Sequence, residues 1–387
     1  MNTAISLLTT AVFLAVAVAH TRAESTVPQP TVQKEIFGKT PAGKPVEIYT
    51  LTSSTGLKAR VMTWGASLVE MHVPDREGRL ADIVVGLDKL ESYFKRHPYI
   101  GCTTGRYCNR LAKGKFTLDG KTYTLATNNG PNHLHGGVKA FDQRNWKGEI
   151  VGAAVRFTYT SPDGEEGYPG TLKAAVTYSL STDQRGLADG LRIDYRATTS
   201  KPTVVNLTNH AYWNRKGAGD GDILDHELTI HASQHTVADA TDIPTGKLAP
   251  VAGGPLDFSE RKVVAADFAK MTGTPGGYDL NYVIDPEAAE RIKDQGAEFL
   301  LAAELREPKS GRTMKIWTTE PGIQFYTGNY LDGTFTGKDG KPIVKNSALC
   351  LETQHYPDSP NRREFPSTVL RPGAVYQSTT IHRFTAK

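Results

Sequence analysis

The chain has 387 residues, with 45 lysines and arginines against 41 aspartates and glutamates, so its formal net charge is only +4. A charge this small over such a length gives no basis for a nucleic-acid or acidic-lipid partner, and no long basic run argues otherwise. Its three cysteines are too few for a disulfide framework, and none stands in a zinc-type pair. We therefore expect a small-molecule partner.

The N-terminus carries an almost uninterrupted apolar run over residues 4–19, with small-residue sites ending at Ala19 and Ala23, although no Lys or Arg precedes it. This order is typical of a secretory signal peptide, predicted at residues 1–23, followed by a polar lead-in at residues 24–35. A membrane anchor is the less favoured alternative, because about 16 apolar residues are marginal for spanning a bilayer. The sequence thus predicts export to a periplasm or the cell exterior, with no membrane contact after cleavage.

Beyond residue 35 the pattern is one of short alternating strands joined by turns. Asp119-Gly120 between alternating runs predicts a hairpin over residues 116–125. The pattern over residues 291–305 also fits a helix, but Gly296 makes two strands the preferred prediction there. Further predicted strands lie at residues 46–51, 58–64, 155–160, 172–180, 191–198, 298–305 and 313–318. With 37 Gly and 22 Pro and no alternating strand–helix units, the sequence predicts one all-β domain at residues 36–387, a large antiparallel β-sandwich.

A turn-rich segment at residues 101–110 ends in Asn109 and Arg110. A guanidinium fork suits recognition of hydroxyl or carboxylate groups. Because adjacent strand residues point to opposite faces, the two side chains share a site only at a bulge or loop. A surface loop is the plain alternative.

The next polar segment, residues 128–137, contains His133 and His135. On a strand both imidazoles would lie on one face and offer a metal pair. The jelly-roll metal proteins called cupins use this spacing with a glutamate shortly after, whereas Lys139 and Ala140 follow here. The sequence therefore predicts no metal site.

In a third segment, residues 206–214, strand alternation would place the side chains of Asn206, Thr208 and His210 on one face. Tyr212 and Trp213 follow shortly after them. Polar groups beside aromatic rings are typical of a carbohydrate cleft, where the rings cover the apolar faces of a sugar. A hydrogen-bonded core histidine is the alternative interpretation.

The stretch at residues 347–361 begins as a buried strand and ends in a loop. Alternation puts Cys350, Glu352 and Gln354 on one face, which aims a carboxylate inward where the strand leaves the core. A solvated glutamate at a strand end is the alternative, because Glu is rarely buried without a partner. Two further polar candidates stand at turns or strand ends, Asp279 and Gln324.

Together these segments resemble the aldose 1-epimerase (galactose mutarotase) family over about residues 37–384. The family fold is a large galactose mutarotase-like β-sandwich, in line with the predicted strands. The resemblance rests on five ordered motifs: Gly105-Arg-x-x-Asn109-Arg110, Asn132-x-Leu134-His135-Gly136-Gly137, Asn206-Leu-Thr-Asn-His210, Gln324-Phe-Tyr-Thr-Gly328-Asn329 and Leu351-Glu352-Thr-Gln-His-Tyr356-Pro-Asp.

The resemblance implies that Glu352 is the general base and His210 the general acid in opening and reclosing the ring of a free hexose such as galactose or glucose. His133 does not match the family's sugar-site histidine, so we expect it to have a structural or supporting role. This chemistry needs no redox change and no covalent intermediate, so we expect no cofactor and no metal. We also expect a monomer or homodimer. The implied ligands of the sugar hydroxyls are Asn109, Arg110, His135, Asp279 and Gln324.

Three other functions stay open at this stage. A glycosidase would use Glu352 and Asp279 on either side of a glycosidic bond, at a separation of roughly 5 or 6.5–9.5 Å. A non-catalytic carbohydrate-binding sandwich would not need a matched acid and base. A sugar-phosphate epimerase would want additional Arg or Lys for the phosphate, and exported enzymes seldom meet phosphorylated sugars.

Overall fold

The computed structural model describes residues 29–182 and 189–387, so the predicted signal peptide at residues 1–23 lies outside the described residues. Within those ranges no helix has the length and apolar character needed to cross a membrane. One short α-helix is present, α1 (Leu90–Tyr93). The short 3-10 helices are Ala112–Gly114, Phe141–Gln143, Glu165–Gly167, Val264–Lys270 and Ser359–Asn361.

Strands form most of the regular structure. In the first half of the chain they are β1 (Thr31–Lys39), β2 (Pro45–Thr52), β3 (Lys58–Met62), β4 (Ser67–Pro74), β5 (Leu80–Asp82), β6 (Val84–Val85), β7 (Thr103–Thr104), β8 (Arg110–Leu111), β9 (Lys115–Leu118), β10 (Lys121–Thr124), β11 (His133–Leu134), β12 (Lys147–Val151), β13 (Ala154–Ser161), β14 (Leu172–Thr182) and β15 (Asp189–Thr199). In the second half they are β16 (Thr203–Val204), β17 (Thr208–Asn209), β18 (Tyr212–Trp213), β19 (Glu227–Ile230), β20 (Gln234–Ala238), β21 (Pro244–Pro250), β22 (Lys262–Val263), β23 (Asp279–Val283), β24 (Arg291–Asp294), β25 (Ala297–Arg306), β26 (Arg312–Thr318), β27 (Gly322–Tyr326), β28 (Asp332–Thr336), β29 (Pro342–Val344), β30 (Cys350–Gln354), β31 (Val369–Leu370) and β32 (Tyr376–Ala386).

Three sheets carry the architecture. The largest has ten strands in the order β12-β13-β14-β15-β32-β26-β25-β19-β22, with β24 beside β25. A five-stranded sheet follows the chain from β1 to β5, and a second one, here called the site sheet, has the order β21-β20-β23-β27-β30. All pairings within the three sheets are antiparallel.

The core lies between the ten-stranded sheet and the two five-stranded sheets. One continuous apolar cluster contains Val176 and Ile193 from the first, Val61 from the second, and Phe325 and Leu351 from the site sheet. Each of these side chains is at most 3 % exposed, and such burial is worth about 1.5–3 kcal/mol per side chain. The predicted antiparallel β-sandwich is therefore confirmed.

The local predictions agree with these elements at most points. The hairpin over residues 116–125 is β9 and β10, with Leu118 opposite Lys121. Residues 291–305 form the strands β24 and β25 around Gly296 rather than a helix. The strand β1 begins at Thr31, within the predicted lead-in, because its residues pair along β2. All three cysteines are buried free thiols.

Buried histidines make the fold sensitive to acid. Burial lowers the pKa of His97, His133, His226 and His382 to about 4. In the unfolded chain a histidine has a pKa of about 6.5, so below that pH the unfolded state binds more protons than the folded state. We expect the free energy of unfolding to fall as the pH drops from about 6.5 toward 4, by up to about 1.4 kcal/mol per pH unit for each histidine.

Denaturant unfolding between those pH values measures this slope. His97→Gln removes one of the titrating groups and is expected to reduce the slope by about one proton. A stability that is constant over this range, or a slope unchanged in the variant, would contradict the burial of these imidazoles as neutral groups.

Candidate active site

The site sheet supplies the floor of the site. Gln324 on β27 lies opposite Glu352 on β30, and Asp279 on β23 lies opposite Tyr326. Directly opposed residues share a sheet face, and so do residues two apart on a strand. The side chains of Asp279, Gln324 and Glu352 therefore point to the same side. The alternate residues, such as Phe325 and Leu351, turn into the core cluster.

The acid candidate, His210, is held above this floor by its backbone. Its N–H donates to the carbonyl of Cys102 over 2.9 Å, and its own carbonyl accepts from the N–H of Gly101 over 2.9 Å. The rings of Tyr99 and Tyr212 stack on the imidazole, with centroid distances of 5.8 and 5.1 Å. These contacts fix both the position and the plane of the ring.

Two loop residues reach the site through left-handed backbone conformations. Asn109 has a φ of 58° and His135 a φ of 50°. The N–H of His135 donates to the Asn109 carbonyl over 3.0 Å, and the N–H of Asn109 donates to Nδ1 of His135 over 3.1 Å. Because Nδ1 accepts a hydrogen bond, the proton of the neutral imidazole sits on Nε2. His135 is thereby fixed as a hydrogen-bond donor.

The centre of the site is a buried imidazole–carboxylate pair. Nε2 of His210 lies 3.7 Å from Oε1 of Glu352, and the side chains are only 6 % and 3 % exposed. This separation is slightly longer than a hydrogen bond. The other carboxylate oxygen of Glu352, Oε2, is buried without a hydrogen-bond partner among the described residues.

Burial shifts both groups toward their neutral forms. It raises the pKa of Glu352 well above its ordinary value, with a further rise from the Asp279 carboxylate and an opposing effect of Arg110. It lowers the pKa of His210 to about 3. Burial therefore favours a proton on Glu352 and a neutral imidazole at His210. Transfer of this proton to His210 leaves the total charge unchanged and creates opposite charges that attract each other.

Amide and charged groups form a hydrogen-bonded chain beside the pair. Nδ2 of Asn109 donates to Oε1 of Gln324 over 3.1 Å, and Nε2 of Gln324 donates to Oδ1 of Asp279 over 2.7 Å. A terminal nitrogen of Arg110 contacts Asp242 at 2.9 Å, and its Nε donates to Asn129 over 3.1 Å. Such paired groups present donors and acceptors in fixed directions.

These side chains surround a cavity of about 260 Å³. All seven residues predicted for the site line it, so the structure brings the whole set together. The sequence did not single out several other lining residues, although the alternation that aims Gln324 inward also applies to Tyr326. Those unpredicted residues include Pro98, Tyr99, Asn129, Asp242, Tyr326 and Tyr330.

His133 and His135 do not form a pair. The strand β11 ends at Leu134, and the left-handed backbone of His135 turns its ring away from the alternation that a strand would impose. Nδ1 of His133 contacts the Ala126 carbonyl at 2.6 Å, and its Nε2 contacts the Tyr168 hydroxyl at 2.7 Å. His133 is thus buried and hydrogen-bonded, and it does not line the cavity that holds the other predicted residues.

One group of ligand-type side chains does lie in the cavity. His135, His210 and Glu352 each offer an atom, all within 4.8 Å of one another. However, the hydrogen bond from Asn109 occupies Nδ1 of His135 and leaves a proton on Nε2, so the neutral ring has no free lone pair for a metal. These contacts fit hydrogen bonding to a substrate better than metal ligation.

A larger surface cleft of about 580 Å³ lies elsewhere, lined by His231, Asp285 and Glu304 among others. Two of its carboxylates already have partners, since Glu304 contacts Lys315 at 3.0 Å and Asp285 accepts from Ser233 over 2.9 Å. The small cavity is the better candidate active site, because its acid and base are buried and face each other. It can remove a proton from one oxygen of a small polar molecule and donate a proton to another.

Comparison with known proteins gives an independent result. The family model described as Aldose 1-epimerase matches residues 47–383. The chain is 44% identical to galactose mutarotase from Sus scrofa over 351 residues, which are 90% of this chain and 97% of that protein. It is 36% identical to aldose 1-epimerase from Escherichia coli K12 over 354 residues, which are 90% and 97% of the two chains.

Solved structures agree with these matches. An aldose epimerase homologue from C. elegans superposes with a TM-score of 0.74 at 31% identity, over 86% of this chain and 96% of that one. Galactose 1-epimerase from Lactobacillus acidophilus superposes with a TM-score of 0.77 over 92% and 98% of the two chains; at 23% identity this likeness concerns the fold alone.

Proposed function

Because the chain belongs to the aldose 1-epimerase family, it is an enzyme that interconverts the α and β anomers of aldoses, and we propose that its substrates are free aldohexoses such as galactose and glucose. The relatives from Sus scrofa and Escherichia coli are named galactose mutarotase and aldose 1-epimerase, which supports this substrate class. The observation that carries the proposal is the buried His210–Glu352 pair on a small polar cavity.

We assign the general base to Glu352 and the general acid to His210. Ring opening requires removal of the proton from the C1 hydroxyl while the ring oxygen is protonated, and a carboxylate and an imidazolium do this together. Afterwards Glu352 is protonated and His210 neutral, which is the form that burial favours. Rotation about the C1–C2 bond and reclosure, with the two roles exchanged, give the other anomer.

The neighbouring polar groups bind and orient the sugar hydroxyls in this proposal. His135 donates from Nε2, since its Nδ1 is occupied. Gln324 and Asp279 are already hydrogen-bonded to each other, so little side-chain entropy is lost when a sugar binds. Asn109 and Arg110 complete the set from the loop side.

Arg110→Lys is expected to raise KM for galactose about tenfold or more, because a hydrogen bond to a charged group contributes about 1.5–3 kcal/mol. A lysine cannot reproduce the fork that reaches Asn129 and Asp242 together. Initial mutarotation rates at several sugar concentrations measure KM. Arg291→Lys, at an exposed arginine that pairs with Glu298 away from the cavity, is the matched control. An unchanged KM in Arg110→Lys would remove this arginine from the binding role.

Polarimetry on freshly dissolved α-D-galactose and α-D-glucose tests the activity and the substrate class. We expect the protein to speed the approach to the same final rotation in a chelator-containing buffer, and the two rates rank the sugars. Calorimetric binding without acceleration would favour a non-catalytic sugar-binding sandwich. Release of an aglycone from a synthetic glycoside would favour a glycosidase, an alternative that the comparisons do not favour.

We also propose that the enzyme is exported and acts as a monomer or homodimer in a periplasm or outside the cell. The apolar run at residues 4–19 and the small residues before Ala19 and Ala23 support export. Mass spectrometry of the mature N-terminus after cell fractionation tests it: a cytoplasmic chain that retains Met1 would contradict export. Sedimentation of the mature protein measures the oligomeric state.

A further inference from the structure

We propose that Asp242 is a specificity-determining residue, and that its pairing with Arg110 excludes anionic sugars from the cavity. Asp242 lies in the turn between β20 and β21, and its carboxylate contacts a terminal nitrogen of Arg110 at 2.9 Å. The side chain of Arg110 is 10 % exposed and that of Asp242 is 45 % exposed. The aspartate is therefore the more open to solvent of the two, as expected for a residue that an entering sugar meets first.

The lining of the cavity holds more carboxyl groups than cations. Arg110 is the one lysine or arginine among the lining residues that the structure describes, whereas Asp242, Asp279 and Glu352 each bring a carboxyl group. Oδ2 of Asp279 lies 4.0 Å from a terminal nitrogen of Arg110. Even when Glu352 is protonated, two aspartates remain for one guanidinium. An anionic group on a sugar would therefore find the arginine already paired and meet a surplus of carboxylates.

The charge of Asp242 reaches into the cavity. Burial raises the pKa of Asp279, Arg110 opposes that rise, and the Asp242 carboxylate adds to it. The two aspartates thus act on the same space, with the arginine between their effects.

The turn that carries Asp242 is held by other groups. Oδ1 of Asp239 accepts from the N–H of Thr241 over 2.7 Å and from the N–H of Ile243 over 3.2 Å. The N–H of Asp242 donates to the Asp239 carbonyl over 3.0 Å. Because these bonds define the turn, the carboxylate of Asp242 is left to act on Arg110.

Uncharged sugars can use this ion pair without separating it. A hydroxyl group donates to a carboxylate and accepts from a guanidinium, so it can hydrogen-bond to Asp242 or to Arg110 while the two stay paired. An ionised carboxylate on the sugar only accepts, so it has to compete with Asp242 for the arginine. The pair therefore favours neutral aldoses over uronic acids. This inference rests on the proposed function, because it concerns the substrates of the same cavity.

Inhibition of galactose mutarotation by D-galacturonate and by its uncharged amide tests the proposal in the wild-type enzyme. The two compounds are similar in shape and differ by one charge at neutral pH, and as competitors they need not be turned over. We expect the amide to compete at least about tenfold better than the acid, because like charges brought together in a binding site are strongly unfavourable. If the acid and the amide compete equally, or if neither competes, the proposal is wrong.

Salt dependence gives a second measurement on the unmodified protein. The preference for the amide should fall as the ionic strength rises from about 0.01 to about 0.15 M, where the screening length shortens from about 30 to about 8 Å. A preference that does not change with salt would contradict charge repulsion at the partly exposed Asp242.

Asp242→Asn tests the residue itself. Asp242 has a φ of 60°, and asparagine tolerates this left-handed region better than most residues, so the turn should keep its shape. The variant leaves Arg110 without its charged partner, and we expect the preference for the amide to fall about tenfold. Asp242→Gly also suits this φ and should lower the preference in the same way. An unchanged preference in both variants would remove Asp242 from this role.

Asp225→Asn is the matched control. The side chain of Asp225 is also 45 % exposed and pairs with Lys216 at 2.8 Å, but it does not line the cavity. The variant changes the net charge of the protein by the same amount, so an equal fall in the preference would contradict a specific role of Asp242. Absence of galactose mutarotation in the wild type would instead overturn the proposed function, and calorimetry of the acid and the amide would then still measure the charge preference.

Discussion

Replacing Glu352 with Gln is expected to lower kcat for mutarotation of α-D-galactose by about 10²–10⁴-fold, the usual contribution of a general base. The amide keeps the size of the side chain but cannot take the proton of the C1 hydroxyl. Among the described residues the carboxylate has no hydrogen-bond partner, only its 3.7 Å contact with His210, so little structure depends on its charge. Polarimetry, corrected for the spontaneous reaction, measures the loss.

Binding and folding provide the control for this variant. The affinity for galactose, measured by calorimetry, should stay within about threefold, since the other polar groups of the cavity remain. Glu304→Gln changes a carboxylate that pairs with Lys315 outside the cavity and should leave the rate unchanged. A Glu352→Gln enzyme that keeps more than a tenth of the wild-type kcat would remove Glu352 from the role of base.

His210→Gln is expected to cause a loss of similar size, about 10²–10⁴-fold in kcat, because the ring oxygen is then no longer protonated as the ring opens. The double variant should be little worse than either single one, since acid and base act in the same step. His226→Gln replaces a buried histidine outside the cavity and serves as the control for the loss of a buried imidazole. Full additivity of the two losses would contradict a concerted pair.

The sequence predicted the fold because strand alternation is a local signal. The period of two located strands at residues 155–160 and 172–180, and the same period placed Cys350, Glu352 and Gln354 on one face. Turn chemistry at Asp119 and Gly120 placed a hairpin correctly. These predictions need only neighbouring residues.

The remaining parts of the site depend on contacts between distant segments. The left-handed backbones of Asn109 and His135 are fixed by hydrogen bonds between their two loops, and no alternation pattern foretells them. Asp242 belongs to a distant loop and contacts Arg110 at 2.9 Å in the cavity lining. The tautomer of His135 likewise follows from the N–H of Asn109 in another loop, so the sequence alone could not predict it.

The fate of the C1 oxygen tests ring opening most directly. With α-D-galactose labelled with ¹⁸O at C1, catalysis by Glu352 and His210 opens the bond between C1 and the ring oxygen and never breaks the bond to the labelled oxygen. We predict that the optical rotation reaches equilibrium at the enzymatic rate while mass spectrometry finds the label retained. Loss of the label to solvent at the rate of anomer interconversion would show displacement at C1 and contradict the account.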